Sequence, residues 1–489
     1  MDQQDLVNPA PSFGMPPRNA PSWVDYEQPD RSWERPNVIF LMVDDIGQHD
    51  LGCCGGDAIP TPNFDRMAAE GTRFTDAYTG SPVCAPSRSV LMTGQHAGHT
   101  RTRDNHTTVG GSWVEDEPWP GGGRRTVPLQ GSDTTVAEVM SEAGYSTGCV
   151  GKWGLGDLTT SGRPTNKGFD TFYGYLDQAH AHDYFHEFLI RDQEKEYIPE
   201  NQDGIGPPYS RESRPVGEFE QDGTYTHDLI VEESLSFVRE HAEDEFFLYL
   251  PWTLPHAPHA VPEFASFVED DWSDREKAYA TMVHRLDRDV GRLLDCLAAE
   301  GIDEETIVFF CSDHGPNEPF LGDPLNSSGS LRGYKRQLYE GGIRTPMLVR
   351  WPGSVPAGRV DDTPWYYPDV LPTMAELAGL EFPLGDLDVE TDGHSVVRTL
   401  LGGEQALTDR FLYWEFPSQG DTGMDLAQAG RFRHWKAHRV GRDEETELYD
   451  LSTDVGEEHD VAAEHAGVIG RFERLFADAH EESRFWPTW

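Results

Sequence analysis

The sequence contains very little lysine: six of its 489 residues, which leaves 39 − 6 = 33 arginines among the basic residues. Acidic residues outnumber basic ones by 86 to 39, and the formal net charge is −47. A charge of that sign argues against direct binding to nucleic acid, because such binding depends on basic stripes that release counterions. It also disfavours contact with anionic membrane surfaces. We therefore expect neither a nucleic acid nor a membrane as a partner.

The sequence also lacks spaced cysteine pairs, long apolar runs and an export signal. Its six cysteines form no C-x-x-C pair, and the adjacent Cys53 and Cys54 are poorly placed for an ordinary disulfide. No run of 18 apolar residues is present, and the first residues lack a basic stretch followed by an apolar one. These features predict a reduced protein that works in the cytoplasm.

The acidic residues are spread over the whole chain and are not gathered in one tail. A dense carboxylate surface of this kind is typical of halophile proteins, which stay hydrated in concentrated salt. The Debye length there falls to about 3 Å, so an acidic surface would no longer repel an anionic substrate. The composition therefore predicts a halophilic source.

The hydrophobic pattern divides the chain into three parts. Residues 1–35 predict an extended arm, residues 36–380 an α/β domain, and residues 381–489 a smaller α+β subdomain. In the α/β domain we expect a large, mostly parallel sheet between helices, with strands at 37–43, 147–151, 246–250, 306–311 and 346–350. The accompanying helices are predicted at 134–143, 225–242 and 275–300. The subdomain is expected to carry short antiparallel strands at 410–416, 431–440 and 447–451, and a closing helix at about 467–482.

Polar side chains follow four of the predicted strands, at the point where each strand ends. They are Asp44 and Asp45, Lys152, His256 and His259, and Asp313 and His314. Because the carboxyl ends of parallel strands meet at one edge of a sheet, these residues are expected to converge there.

Three of these residues are carboxylates, which repel one another unless a cation neutralises them. Oxygen ligands of this kind suit Ca²⁺ or Mg²⁺. Taken singly, Asp44 or Asp45 could instead cap the next helix, and Asp313 could belong to a simple turn. The convergence of all three favours a metal site.

Cys84 stands where a helix is expected to begin, in the sequence PVCAPSR. We expect this cysteine to lie outside the hydrophobic core. Pro86 suits a first helical turn, and backbone N–H groups there, together with Arg88, would form an anion site. Cys84 could act as a thiolate nucleophile with a lowered pKa, or as the precursor of another group.

The segment from Cys84 to Gly94 resembles the C-x-P-S-R…T-G signature of the type I, formylglycine-dependent sulfatases, which have an alkaline-phosphatase-like fold. Other segments resemble this family in family order: PNVIFLMVDDIG, PTPNFDRMAAEGTRFTDAYT, GKWGLG, LPHAPH, SDHG, RGYKRQLYEGGIRTP and ELYDLSTDVGEEHDVA. The resemblance covers nearly all of residues 36–465. It implies hydrolysis of sulfate esters by the hydrate of a formylglycine that a formylglycine-generating enzyme makes from Cys84.

The resemblance also implies roles for individual residues. A Ca²⁺ ion, or Mg²⁺, would be held by Asp44, Asp45, Asp313, His314 and the converted Cys84. Arg88 would hold the aldehyde hydrate, and Asp313 would accept its proton. Lys152 and Lys335 would bind the sulfate oxygens, and His256 would protonate the leaving oxygen. The family accepts either Asn or His at the position of His314.

One position departs from the family pattern. Many relatives read G-K-W-H at the lysine loop, where the histidine helps the sulfated intermediate to collapse, but this chain has Gly154. His180, His182 and His259 are candidates for the missing base, and His180 and His182 also for substrate binding. They could equally be surface or core residues without a role. GKWGLG followed by GYLDQAHAH resembles a subgroup of carbohydrate sulfatases, which favours sulfated galactose-type sugars as substrates, with aryl sulfates as surrogates.

Two alternative functions stay open at this point. A phosphate or phosphonate ester hydrolase on the same fold would use the same nucleophile on an ester of similar shape. A non-catalytic protein would keep the metal and bind sulfated glycans with Cys84 unconverted. The complete set of acid, base and anion-binding residues weighs against the second alternative.

Overall fold

A computed structural model describes residues 33–107, 111, 126–178, 180–201, 222–269, 271–317, 325–380, 389–419, 425–441 and 444–486. The predicted arm, residues 1–35, lies outside these ranges except for its last three residues. The strands are, in chain order, β1 (Asn37–Val43), β2 (Thr72–Phe74), β3 (Ala77–Tyr78), β4 (Ser146–Lys152), β5 (Thr171–Tyr175), β6 (Phe188–Arg191), β7 (Glu194–Tyr197), β8 (Phe246–Pro251), β9 (Thr306–Ser312), β10 (Met347–Arg350), β11 (Arg359–Asp361), β12 (Trp365–Tyr366), β13 (Phe411–Gln419), β14 (Asp425–Phe432), β15 (Trp435–Val440) and β16 (Glu447–Asp450). The α-helices are α1 (Pro62–Glu70), α2 (Cys84–Thr93), α3 (Val136–Glu142), α4 (Thr226–Glu240), α5 (Asp274–Glu300), α6 (Glu340–Ile343), α7 (Val370–Leu377), α8 (Val397–Leu400) and α9 (Ala466–Ala479).

A ten-stranded sheet dominates the fold, with the order β11-β2-β10-β9-β1-β8-β4-β5-β6-β7. Its centre is parallel: β1 pairs with both β8 and β9, and β4 pairs with both β8 and β5. These pairings confirm the predicted large, mostly parallel sheet. The strand predicted at 346–350 is present as β10 but runs antiparallel to β9, because β10 enters the sheet from the opposite end.

The central strands are mostly apolar because helices cover both faces of the sheet. Side chains alternate along β1, so that Ile39 and Leu41 join one core cluster while Val38 and Phe40 join the other. The first cluster packs against α1, α4 and α5, and the second against α2, α3 and α7. This burial on both faces explains the continuous apolar runs in the sequence.

Helix α5 shows how the sequence sets its own boundaries. The Ser273 hydroxyl accepts a hydrogen bond from the Glu276 amide, and the Glu276 carboxylate accepts one from the Ser273 amide. At the other end, Gly301 adopts φ 78°, a left-handed conformation that costs glycine little. The helix predicted at 275–300 therefore begins one residue earlier and ends where expected.

The smaller subdomain carries the antiparallel sheet β13-β14-β15-β16, closed by α9, as predicted. The single strand expected at 431–440 is wrong, because the chain reverses there. Phe432 ends β14, Trp435 begins β15, and Arg433 occupies the turn with φ 57°. Tyr413 of β13 packs on Phe476 of α9, with ring centroids 6.0 Å apart.

Within the described ranges, no helix is both long enough and apolar enough to cross a membrane.

Candidate active site

The carboxyl ends of β1 and β9 bring three carboxylates together. The two strands pair in register up to Val43 and Ser312, and the Asp313 amide then donates to the Val43 carbonyl over 2.9 Å. Asp45 adopts φ 73°, which lets the chain turn directly after Asp44. The side chains of Asp44, Asp45 and Asp313 are all buried. The predicted convergence at this sheet edge is therefore present.

Each carboxylate is matched by a cation from a different segment. Lys152 Nζ lies 2.6 Å from Asp44 Oδ2, and Lys335 Nζ lies 2.6 Å from Asp45 Oδ1. Arg88 Nη2 donates to Asp313 Oδ2 over 2.9 Å. Three negative and three positive groups thus share one buried volume.

The balance of charges decides which groups stay ionised. Burial opposes ionisation of Asp44, but Lys152, Lys335 and Arg88 together hold the pKa of its carboxyl far below the usual range. Burial raises the pKa of Asp45, and the neighbouring Asp44 carboxylate adds to that rise against the opposing effect of Lys335. Of the two carboxyl groups, that of Asp44 is therefore the more strongly ionised.

Cys84 is the first residue of α2, where the predicted helix begins. Its Sγ lies 3.6 Å from Asp44 Oδ1 and 3.2 Å from His314 Nε2. The expectation that Cys84 lies outside the core is wrong, because the residue is fully buried. The C-terminal sheet covers it: Trp414, Phe416 and Cys84 belong to one apolar cluster.

The residues fit a divalent cation. Asp44, Cys84, Asp313 and His314 each offer a ligand atom, and these atoms all lie within 4.8 Å of one another. Within the described part of the chain, Asp45 Oδ2 and Asp313 Oδ1 have no hydrogen-bond partner although both are buried. Buried carboxylate oxygens left in this way suit a hard cation.

The ring of His314 is oriented towards the candidate cation site. Its Nδ1 lies 2.9 Å from the Gly315 carbonyl and donates to it, which leaves Nε2 facing Cys84 and Asp313. Burial disfavours the charged ring, but Asp313 outweighs this effect and the pKa of His314 is raised to about 9. A cation bound through Nε2 would therefore have to displace the proton on that atom.

His256 lies on the other side of the carboxylates, after β8. Its Nε2 lies 2.9 Å from Lys335 Nζ and 3.6 Å from Asp45 Oδ2, and its Nδ1 bonds the Ala257 carbonyl. Burial and then the cations Lys335 and Lys152 hold the pKa of His256 well below its usual value. Its resting ring is therefore neutral, with Nε2 accepting from Lys335.

The other predicted histidines lie at different distances from this centre. His182 stacks on His256, with ring centroids 3.8 Å apart and an interplanar angle of 14°. His180 packs against His186 and Phe188. His259 is buried, and its ring packs on Tyr279 with an interplanar angle of 71°. The structure brings His182 into the site, whereas His180 and His259 have other surroundings.

One supporting residue carries no signal in the sequence. Asn105 is buried, and its Oδ1 accepts a hydrogen bond of 2.9 Å from the Ala85 amide, directly after Cys84. It thereby satisfies one of the free N–H groups at the start of α2. Asparagine is too common in loops for the sequence alone to single out this one.

The segment that carries Lys335 is tied to the C-terminal sheet by a buried ion cluster. Lys436 of β15 lies 2.9 Å from Glu340 Oε1 and 2.9 Å from Glu457 Oε1. The Glu340 amide donates to Glu457 Oε2 over 2.6 Å, and Arg332 Nη1 donates to the Glu457 carbonyl over 2.8 Å. The position of Lys335 thus depends on residues more than 100 positions later in the chain.

Comparisons with known proteins single out one family. A family model described as Sulfatase matches residues 36–380, and one described as N-sulphoglucosamine sulphohydrolase, C-terminal, matches residues 333–475. An arylsulfatase of Hemicentrotus pulcherrimus is 31% identical over 428 residues, covering 84% of this chain and 69% of that protein. The N-acetylgalactosamine-6-sulfatase of Canis lupus familiaris is 32% identical over 405 residues, covering 82% and 71%. The solved structure of Ps i-CgsB in complex with k-i-k-neocarrahexaose matches with a TM-score of 0.73 at 26% identity, covering 93% of this chain and 95% of that one.

Proposed function

The chain belongs to the sulfatase family and is a sulfuric ester hydrolase, and on that premise we propose that it cleaves sulfate esters of sugars with a formylglycine made from Cys84. The observation that carries this proposal is the position of Cys84. It begins a helix, lies 3.6 Å from Asp44 and has Arg88 one turn further along the same helix. A nucleophile at that point would face cations and backbone N–H groups that suit a sulfate ester.

Two groups would complete the site. A Ca²⁺ ion held by Asp44, Asp45, Asp313, His314 and residue 84 would polarise the sulfate oxygens. An aldehyde at position 84 would supply, as its hydrate, the oxygen that attacks sulfur. The Sγ of Cys84 lies beside the proposed metal ligands, so a group formed from it would begin close to the cation.

The chain's own cations bind and orient the ester. Lys152 and Lys335 offer compact ammonium groups beside Asp44 and Asp45, and Arg88 lies beside Asp313. As sulfuryl oxygens approach, these groups would donate to them and offset the negative charge that develops. Asp313 Oδ1 would accept the proton of the attacking group, because it is buried, accepts no hydrogen bond from the described residues and has only His314 Nε2 nearby, at 3.3 Å.

The leaving oxygen needs a proton as the ester bond breaks. We propose that His256 delivers this proton from Nε2, which lies 2.9 Å from Lys335 Nζ and 3.6 Å from Asp45 Oδ2. Lys335 itself stays charged, because Asp45 raises the pKa of its ammonium against the opposing effect of burial. The resting ring of His256 is neutral, so it would take up the proton only when the substrate binds.

We also propose a sulfated sugar of the galactose type as the substrate. This preference is supported by the similarity to an N-acetylgalactosamine-6-sulfatase and to a structure that holds k-i-k-neocarrahexaose.

We further propose that the enzyme works in concentrated salt, given its net charge of −47. Its unfolding temperature should then rise when KCl is increased from 0.1 M towards saturation, and a constant value would refute the salt proposal.

The first experiment is the mass of the peptide that contains residue 84, from protein isolated from its source organism. We expect the loss of mass that accompanies conversion of CH₂SH to CHO, together with hydrolysis of an aryl sulfate. Cys84→Ala should remove both signals. An intact cysteine in an inactive protein would overturn the formylglycine proposal, and faster hydrolysis of an aryl phosphonate than of the sulfate would overturn the substrate class.

A further inference from the structure

Gln178 takes the space that a side chain at position 154 would need. Gly154 has φ 79°, and a Cβ atom added there would overlap the Gln178 Nε2 atom. The backbone at this place is fixed, because the Gly154 amide donates to the Leu176 carbonyl over 3.0 Å. The absence of a side chain at Gly154 therefore makes room for one specific group, the Gln178 carboxamide.

The carboxamide of Gln178 is buried and forms no hydrogen bond with the described residues. The residue is 1% exposed, and neither its Nε2 nor its Oε1 has a hydrogen-bond partner within the ranges that the structure describes. Protein interiors leave few polar side-chain atoms in this state, because each unmet bond costs stability. Both ends of one amide left unpaired point to a partner that is bound and is not part of the protein.

The segment of Gln178 links two loops of the active site. At one end Gln178 contacts Gly154, two residues after Lys152. At the other end His182 stacks on His256, and its Nε2 is also buried without a partner in the described chain. One residue before Gln178, the Asp177 carboxylate accepts a hydrogen bond of 3.1 Å from the His180 amide. The carboxamide thus lies beside the loop of the sulfate-binding lysine, four residues before the histidine that stacks on the proposed acid.

We propose that Gln178 is a substrate-binding residue whose Nε2–H group donates to an oxygen of the sulfate ester. This inference rests on the proposed function of the site. The site already holds the cations Lys152, Lys335 and Arg88 for the ester, so a further contact can come from a neutral donor. An amide can hold an anionic oxygen without adding a charge, whereas a carboxylate at this position would repel it.

Two substitutions at position 178 test the proposal. Gln178→Leu keeps the volume but removes the donor, and Gln178→Glu keeps the shape but adds a negative charge. We expect the KM for an aryl sulfate and the inhibition constant of inorganic sulfate to rise about 10-fold in the first variant and about 100-fold in the second. The unfolding temperature of Gln178→Leu should be equal to or higher than that of the wild type, since an unpaired buried amide is lost.

A matched control is Gln428→Leu, because Gln428 is an equally buried amide that bonds Tyr413 and Arg439 in the C-terminal sheet. It should lower the unfolding temperature and leave inhibition by sulfate unchanged. Gly154→Ala should reproduce the defect of Gln178→Leu by displacing the amide, and the double variant should be no worse than either single one. A lower unfolding temperature in Gln178→Leu with unchanged KM and sulfate inhibition would overturn the proposal.

The anion-binding role of Gln178 can be tested even if the protein has no sulfatase activity. If the wild type hydrolyses no sulfate ester, binding of inorganic sulfate is still measured by its effect on the unfolding temperature. A rise in the wild type that is absent in Gln178→Leu would support Gln178 as an anion-binding residue. An equal rise in both proteins would refute it.

Discussion

Lys335 donates a hydrogen bond to His256: the Nζ atom of one lies 2.9 Å from the Nε2 atom of the other, and both side chains are buried. The same ammonium lies 2.6 Å from Asp45 Oδ1. A single lysine therefore joins a proposed metal ligand to the proposed acid. Its position is held in turn by the cluster of Lys436, Glu340 and Glu457.

Replacing Lys335 by arginine should inactivate the enzyme almost as fully as replacing it by methionine. The planar guanidinium is larger and cannot point one compact charge at both Asp45 and His256. We expect kcat on an aryl sulfate to fall about 100-fold or more in both variants. Lys195→Arg, on the peripheral strand β7, is the control and should keep wild-type kcat. An active Lys335→Arg enzyme would contradict the assigned role.

Removal of divalent cations should lower both activity and stability. Asp44, Asp45 and Asp313 are buried together, and a bound cation would relieve their mutual repulsion. We expect a chelator to abolish hydrolysis and to lower the unfolding temperature, and added Ca²⁺ to restore both. Titration with Mg²⁺ in parallel tests which ion the site prefers. A protein unaffected by prolonged chelation would argue against a metal at these residues.

Glu457→Gln should change how stability depends on pH. Burial raises the pKa of Glu457 to about 7, Lys436 opposes this rise, and Glu340 adds to it. A carboxyl with a raised folded-state pKa contributes stability that is complete below its ordinary value of 4.5 and is lost as pH rises through about 7. The glutamine variant has no such loss. Its unfolding temperature should therefore exceed that of the wild type at pH 8 and approach it at pH 4.5.

The control for this experiment is Glu458→Gln, the exposed neighbour, which should follow the wild-type profile. A constant difference between Glu457→Gln and the wild type across this pH range would mean that Glu457 does not titrate there.

Asn105→Ala should reduce activity more than stability. The variant loses the acceptor for the Ala85 amide, so residue 84 is less firmly positioned. We expect kcat to fall about 10-fold, with a loss of about 1 kcal/mol in the free energy of unfolding, as for other helix caps. Asn105→Asp keeps an acceptor oxygen and should retain more activity than the alanine variant. Equal kcat in all three proteins would show that this bond does not position residue 84.

The sequence predicts best where one physical signal dominates. The run NVIFLMV is apolar from Val38 to Val43 and forms the fully buried strand β1, and Ser273 and Gly301 mark the ends of α5. The site converges because the carboxyl ends of β1, β4, β8 and β9 meet, which the order of strands and polar residues already indicates. The confirmed part of the prediction is therefore the sheet and the family.

The errors occur where tertiary contacts override local pattern. The reversal at Arg433 lacks the glycine, asparagine or proline that usually marks a tight turn. Cys84 is buried by the C-terminal sheet, which lies more than 300 residues away in the chain. Gln178 lies beside Gly154 only because β4 and β5 are neighbours in the sheet. No window of the sequence contains these relationships.

The ion cluster around Lys436 has a consequence for how such enzymes can be recombined. A chimaera that joined residues up to 380 of this chain to the C-terminal part of a relative would pair Glu340 with a foreign sheet. The junction would then disturb Lys335, although it lies 45 residues downstream of that lysine. An active chimaera of two relatives should therefore require that residues 330–345 and strands β13 to β16 come from the same parent protein.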